Sequence, residues 1–247
     1  MPSNFEGYRQ ADSVVRGTFP PRRVPDLDVE SDSAPASGDQ PAALQGVADG
    51  SAPNDGTELG SALVSGLDLA GADLRGVGME AVDYRNANLK GADLTEAKVL
   101  NADLRSADLS DTRWFSAIVW DSRLDGADLR NADIRGSNFT RTNLRGADLR
   151  NLNAGPRIVE GIPYGVGFDD LDLTDADLRW ADMTAAFVWG TVFRGADLRG
   201  ADFRGANALE GAHLRGAVYD ETTQFPVDFD PIHQGMILKP DQETGDG

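Results

Sequence analysis

Gly126 to Arg150 reads GADLR NADIR GSNFT RTNLR GADLR. A large apolar residue recurs every fifth position, at Leu129, Ile134, Phe139, Leu144 and Leu149. Two places before each stands a small residue: Ala127, Ala132, Ser137, Thr142 and Ala147. Asp or Asn lies between them, and Arg usually follows. A helix repeats at 3.6 residues and a strand at 2, so neither keeps a step of five on one face. Self-similarity at a fixed period is the signature of a solenoid.

Outward from this stretch, the step runs unbroken from Val64 to Leu149, eighteen central residues in register. The residue two after the centre is often Gly, Asn, Ser or Asp, as at Gly71, Gly76, Gly91, Asn101, Gly126, Asn131 and Gly136. These are the residues of turn corners. After Leu149, Leu152 and Ala154 supply one more unit with the large and small positions exchanged. GPRIVEGIPYGVG then interrupts the pattern, which resumes at Phe168 and continues through Phe203. One extra residue near Ala208 shifts the frame before Leu209, Leu214 and Tyr219 close the series.

The chain resembles the pentapeptide-repeat family over about residues 62–220. The resemblance rests on the small residue, Asp or Asn, Leu or Phe, and two variable positions quoted above. It implies an all-β solenoid: a right-handed, four-sided parallel β-helix with one pentapeptide per side and twenty residues per coil. The repeats make about seven coils, and at ~4.8 Å per coil these span roughly 34 Å. Central and small residues point inward; their immediate neighbours point out. Three regions are expected: residues 1–60 as a mostly disordered acidic extension, 61–220 as the β-helix, and 221–247 as a C-terminal cap and polar tail. Ser31 to Ala62 has almost no large apolar residue with which to offset its ordering entropy. Phe5, Tyr8, Val14, Val15 and Phe19 give the first thirty residues some anchors for docking on a partner or on the rod. Phe225, Phe229, Ile232, Met236 and Ile237 are candidates to cover the open last coil, which would otherwise be a sheet edge.

Sorting the units by twenty assigns each to a side. Three sides carry outward Asp residues interleaved with Arg. Asp68, Asp108, Asp128, Asp148, Asp177 and Asp197 are the acidic-lattice candidates. The fourth side, built on Met79, Val99, Val119 and Phe139, has no outward Asp in this run. Its outward residues include Leu100, Ile118 and Trp120, with Phe115 just before it. If about nine residues loop out within 155–167, Phe168 and Val188 also fall on this side. Phe187 and Trp189 then project from it, and Asp169 is its exception. Leu100, Phe115, Ile118, Trp120, Phe187 and Trp189 are therefore the protein-binding candidates, since contiguous exposed apolar surface marks interaction sites. Ile158, Ile162 and Tyr164 of the interruption are loop candidates; with Val166 they, or the N-terminal anchors, are placed to cover that patch.

The chemistry classes are narrow. The 247 residues contain no Cys and two His, which excludes disulfides, thiolate chemistry and thiol-based metal sites. His213 and His233 are distant in sequence and match no triad or metal motif. No catalytic residue, metal or cofactor is implied. The formal charge is −18, of which −6 lies in residues 1–60, −7 in 61–220 and −5 in 221–247. Such a chain is not a direct nucleic-acid binder. No signal-peptide run and no stretch of 18 apolar residues occurs, so a cytoplasmic protein without a membrane span is expected. The expected function is a non-enzymatic interaction scaffold for a protein partner. The family resemblance also implies an alternative: an acidic DNA mimic that binds DNA gyrase or topoisomerase IV, the type II topoisomerases, and protects against quinolones. A homodimer is possible, but GMILKPDQETGDG offers no long amphipathic helix to make one.

Overall fold

The structure, a computed structural model, describes residues 65–239. The expected extension at residues 1–60, Val64 and the polar tail from Asp241 lie outside the described residues. Residues 65–239 form a right-handed parallel β-solenoid of about eight turns. Its helical content among the described residues is a single 3-10 turn, Leu209–Gly211.

Each coil stacks on the next in parallel register twenty residues on. Asp108 bridges Asp128, which bridges Asp148. The Leu129 N–H donates to the Asp148 carbonyl at 2.8 Å, and the Asp148 N–H donates to the Ala127 carbonyl at 3.0 Å. The large residue at each centre and the small residue two before it fill the interior, from Leu69 to Leu214. The Asp or Asn between them is also structural: its Oδ1 accepts the N–H two residues on, as Asp128 does from Arg130 at 3.0 Å. This local bond satisfies a corner amide that the ladder leaves free, which is why Asp and Asn recur at this position.

The corners take the left-handed conformation. Gly126 has φ 65° and Asn131 has φ 58°. With the Ala127 N–H donating to the Leu124 carbonyl at 3.0 Å, these are type II turns, which need positive φ at their third residue. Bulky residues occupy this position at Glu96, Arg141 and Trp180, an uncommon choice for side chains with a Cβ.

The fourth side forms a parallel sheet of three-residue strands. These are β1 (Gly78–Glu80), β2 (Lys98–Leu100), β3 (Ile118–Trp120) and β4 (Asn138–Thr140). The sheet's fifth strand comes after the interruption, where β5 (Arg157–Val159) and β6 (Ile162–Tyr164) form a separate antiparallel hairpin. β7 (Gly167–Asp169) then pairs with β4, setting Phe168 beside Phe139. Phe168 thus sits nine residues later than an unbroken coil would place it, and a loop of nine residues is accommodated without a change of side. The extra residue at Ala208, φ 61°, is absorbed by the 3-10 turn, after which Val192 bridges His213.

The ladder does not stop at Tyr219. β8 (Val218–Tyr219) pairs in parallel with β9 (Ile237–Leu238), and Asp202 bridges Gln224. These additions account for the turn beyond the seven expected. Met236 is buried, and Phe225 and Phe229 pack on the core, with Phe225 stacked 6.2 Å from Phe203. Two of the proposed capping residues behave otherwise. Ile232 and Ile237 are exposed, because the latter's strand contributes backbone pairing and turns its side chain to solvent.

Candidate functional site

The six acidic-lattice candidates stand in one column on the second side. Asp68 and Asp108 are linked through Asn88, and Asp108, Asp128, Asp148, Asp177 and Asp197 follow coil by coil. From Asp128 onward they alternate with arginines in a continuous ladder. The Arg130 guanidinium holds Asp128 at 2.5 Å and reaches Asp148 at 3.6 Å. Arg150 joins Asp148 to Asp177, and Arg179 joins Asp177 to Asp197, where Arg199 closes the run. The Arg130 hydrogen bond holds the Asp128 carboxyl below the usual carboxylate range. Burial alone would raise Asp148, but Arg150's hydrogen bonds and charge outweigh it and the net shift is downward. From Asp128 to Asp197 the column is an ion-pair network, whereas Asp68 and Asp108 accept hydrogen bonds from Asn88 and Ser110.

Apart from Phe115, the protein-binding candidates fall on the fourth side as two clusters. In the column just after each strand centre stand Leu100, Trp120, Thr140 and Asp169, one per coil. Trp189 follows on the next coil, its carbonyl accepting the Asp170 N–H. Ile118 and Phe187 lie in the companion column. Ile118 and Trp120 are each 44% exposed, Phe187 49% and Trp189 63%, whereas Leu100 is half-buried. A shallow depression of about 200 Å³ is lined by Leu100, Asn101, Trp120 and Asp121. Between the clusters lie Asn138, Thr140, Gly167 and Asp169, so the strip is not continuous.

Phe115 does not belong to the strip. It is half-buried on the third side, with the guanidinium groups of Arg135 and Arg157 at 5.3 and 5.5 Å from its ring. Arg157 also donates to the Ser116 hydroxyl at 2.7 Å and so ties the hairpin back to the coil. Ile158, Ile162 and Tyr164 are all exposed and do not cover Ile118 and Trp120, while Val166 enters the core. The reason is the hairpin's own pairing, Ile158 with Pro163 and Val159 with Ile162. An antiparallel ribbon anchored at its base through Arg157 turns these side chains to solvent.

Several features escaped the sequence reading. Arg141 stacks over the Trp120 ring at 4.9 Å and pairs with Asp121 at 2.5 Å. The offset of twenty between Asp121 and Arg141 carried that signal. Trp180 adopts φ 58° and lies over Gly200, where an added Cβ would come 2.5 Å from its ring. The fully buried Trp114 donates its indole N–H to Thr112 at 2.8 Å. Among the described residues no group of three His, Cys, Asp or Glu is placed to hold a metal, and no helix is long and apolar enough to cross a membrane.

The architecture is that of a β-solenoid assembled from five-residue units. Pentapeptide-repeat models match in eight copies over residues 68–111, 120–153 and 172–207, and the chain is a pentapeptide-repeat protein. Among solved structures it is similar to QnrB1, a plasmid-mediated fluoroquinolone resistance protein, in a trypsin-treated form. The identity is 19%, covering 70% of this chain and 77% of that one, with a TM-score of 0.46. It is also similar to HetL of the cyanobacterium Nostoc sp. strain PCC 7120, a pentapeptide-repeat protein involved in heterocyst differentiation regulation. There the identity is 26% over 71% of this chain and 80% of that one, with a TM-score of 0.29. No curated protein matches the sequence.

Proposed function

We propose that this protein is an interaction scaffold that docks a protein partner on the fourth side of its β-helix. The observation that carries the reading is the pair of exposed clusters, Ile118 with Trp120 and Phe187 with Trp189. They stand on the side lacking an acid–arginine column; exposed apolar patches mark interaction sites, and tryptophan is enriched among interface hot spots. Affinity capture from lysate of the source cells, with wild type and a Trp120→Ala, Trp189→Ala variant side by side, tests it. Specific partners present with wild type and missing with the variant support the reading; identical partner sets overturn it.

The second reading is occupation of the DNA site of a type II topoisomerase, and the overall charge of −18 favours it. The regular acidic column counts the other way. Its carboxylates from Asp128 to Asp197 are bound by arginines of the same chain, so they offer little of the unpaired charge that a phosphate backbone presents.

A further inference from the structure

On the fourth side one carboxylate already grips a cation, and farther along the same side two adjacent carboxylates, Asp169 and Asp170, make no ion pair, with only the charge of Arg141 acting on Asp170 from a distance. At Trp120 the Arg141 guanidinium lies over the ring, 4.9 Å from its centroid. The same guanidinium grips Asp121 with two prongs, Nε to Oδ1 at 2.8 Å and Nη2 to Oδ2 at 2.5 Å. A ring and a carboxylate together thus hold a cation on this surface. Farther along the same column, Trp189 stands one coil after Asp169, with Asp170 at the adjoining corner. Among the described residues no cation lies over Trp189 and no ion pair reaches Asp169 or Asp170. Asp169 is half-buried, and burial followed by the charge of Asp170 pushes its carboxyl above the usual range. An added cation there would offset the repulsion between the two carboxylates.

Building on the docking reading, we propose that this side takes an extended segment of a protein partner in which a Lys or Arg stands midway between two apolar residues four positions apart. The spacing follows from two repeats. Trp120 and Trp189 are three coil steps apart, about 14 Å at ~4.8 Å per step. An extended chain rises ~3.4 Å per residue and shows alternate side chains to one face, so residues i and i+4 stand about 13.6 Å apart. Residue i+2 then meets the polar stretch between the clusters, where Thr140 and Asp169 face out and Asp170 flanks. A second copy of this chain is the poorer occupant. A two-fold contact would set this acidic stretch against a face bearing the same acids.

The test uses the full-length protein labelled with nitrogen-15, following the four tryptophan indole signals, with acetylated and amidated peptides as probes. The first probe is Leu-Ser-Arg-Ser-Leu; the second replaces Arg with Glu; the third, Leu-Ser-Ser-Arg-Ser-Ser-Leu, is mis-spaced. The expected result is joint, saturable shifting of the Trp120 and Trp189 signals by the first peptide, with at least tenfold weaker binding of the other two. Asp169→Asn with Asp170→Asn should weaken the first peptide by a similar factor. The charge-matched control, Glu96→Gln with Glu221→Gln, should leave it within twofold. Asp169 is half-buried and the other three side chains are exposed, and a cooperative thermal transition no lower than that of wild type confirms that the variants fold. If the Glu or mis-spaced peptide binds as well as the first, or the control variant weakens binding as much as the aspartate variant, the inference falls and the docking reading stands. If no peptide moves either indole, the inference falls, and the partner capture above then decides the docking reading separately.

Discussion

Phe139 and Phe168 are neighbours on successive coils, their ring centroids 6.0 Å apart and their backbones in parallel register across the hairpin that separates them in sequence. The hairpin is therefore an insertion into an intact coil. Removing Arg157 to Gly165 with Pro156→Gly should restore an uninterrupted pentapeptide, because Pro156 would then fall on a corner that needs positive φ. This variant is expected to fold with a thermal midpoint near wild type. Removing one residue fewer moves every later side chain out of register and should abolish cooperative unfolding by circular dichroism.

The buried Thr112 accepts the indole N–H of Trp114 while donating to the Leu109 carbonyl at 2.5 Å. Thr112→Val keeps the volume but orphans a buried donor, which costs about 1–3 kcal/mol. Combining it with Trp114→Phe should be non-additive, since that change removes the orphaned donor while opening a cavity. Chemical denaturation of the two single variants and the double variant measures the coupling.

The acid–arginine ladder is a surface network, and each of its pairs contributes only about 0–1 kcal/mol. Arg130→Met should thus cost less than about 1 kcal/mol, and the wild-type melting point should fall modestly as sodium chloride rises. By contrast, Leu129→Ala, one residue away but pointing inward, should cost about 2–5 kcal/mol.

The pH dependence has a definite sign. Hydrogen bonds from Arg85, Arg130 and Arg204 hold Asp83, Asp128 and Asp202 below their unfolded values. A depressed folded pKa contributes stability above the unfolded pKa and loses it as pH falls through the folded one. Stability should therefore hold level above about pH 5 and decline below about pH 4. Asp169 works oppositely: its raised carboxyl contributes in acid and loses that contribution as pH rises through the folded pKa. Asp169→Asn should accordingly raise the midpoint at neutral pH and matter little in acid, as thermal melts across pH would show.

With the carboxylates from Asp128 to Asp197 already paired with arginines, the protein is expected to leave gyrase supercoiling unchanged at micromolar concentration, with or without quinolone. Inhibition or quinolone protection in a plasmid supercoiling assay would restore the DNA-mimic reading.

The sequence alone determined the coil. Its five-residue period, the alternation of inward Leu and Ala with outward Asp and Arg, and the corner Gly and Asn positions all follow from local sterics and burial, which a one-dimensional repeat displays directly. The nine-residue interruption was legible for the same reason: only that length keeps the Asp-poor side in phase. Tertiary structure decided what the outward residues meet. Arg141 reaches Asp121 and Trp120 across coils, Arg157 pulls the hairpin onto Phe115, and two polar rungs split the apolar strip. Those contacts depend on the paths of long side chains between coils and on the direction in which an inserted hairpin leaves the helix. The repeat specifies neither; both are set by packing between segments far apart in the chain.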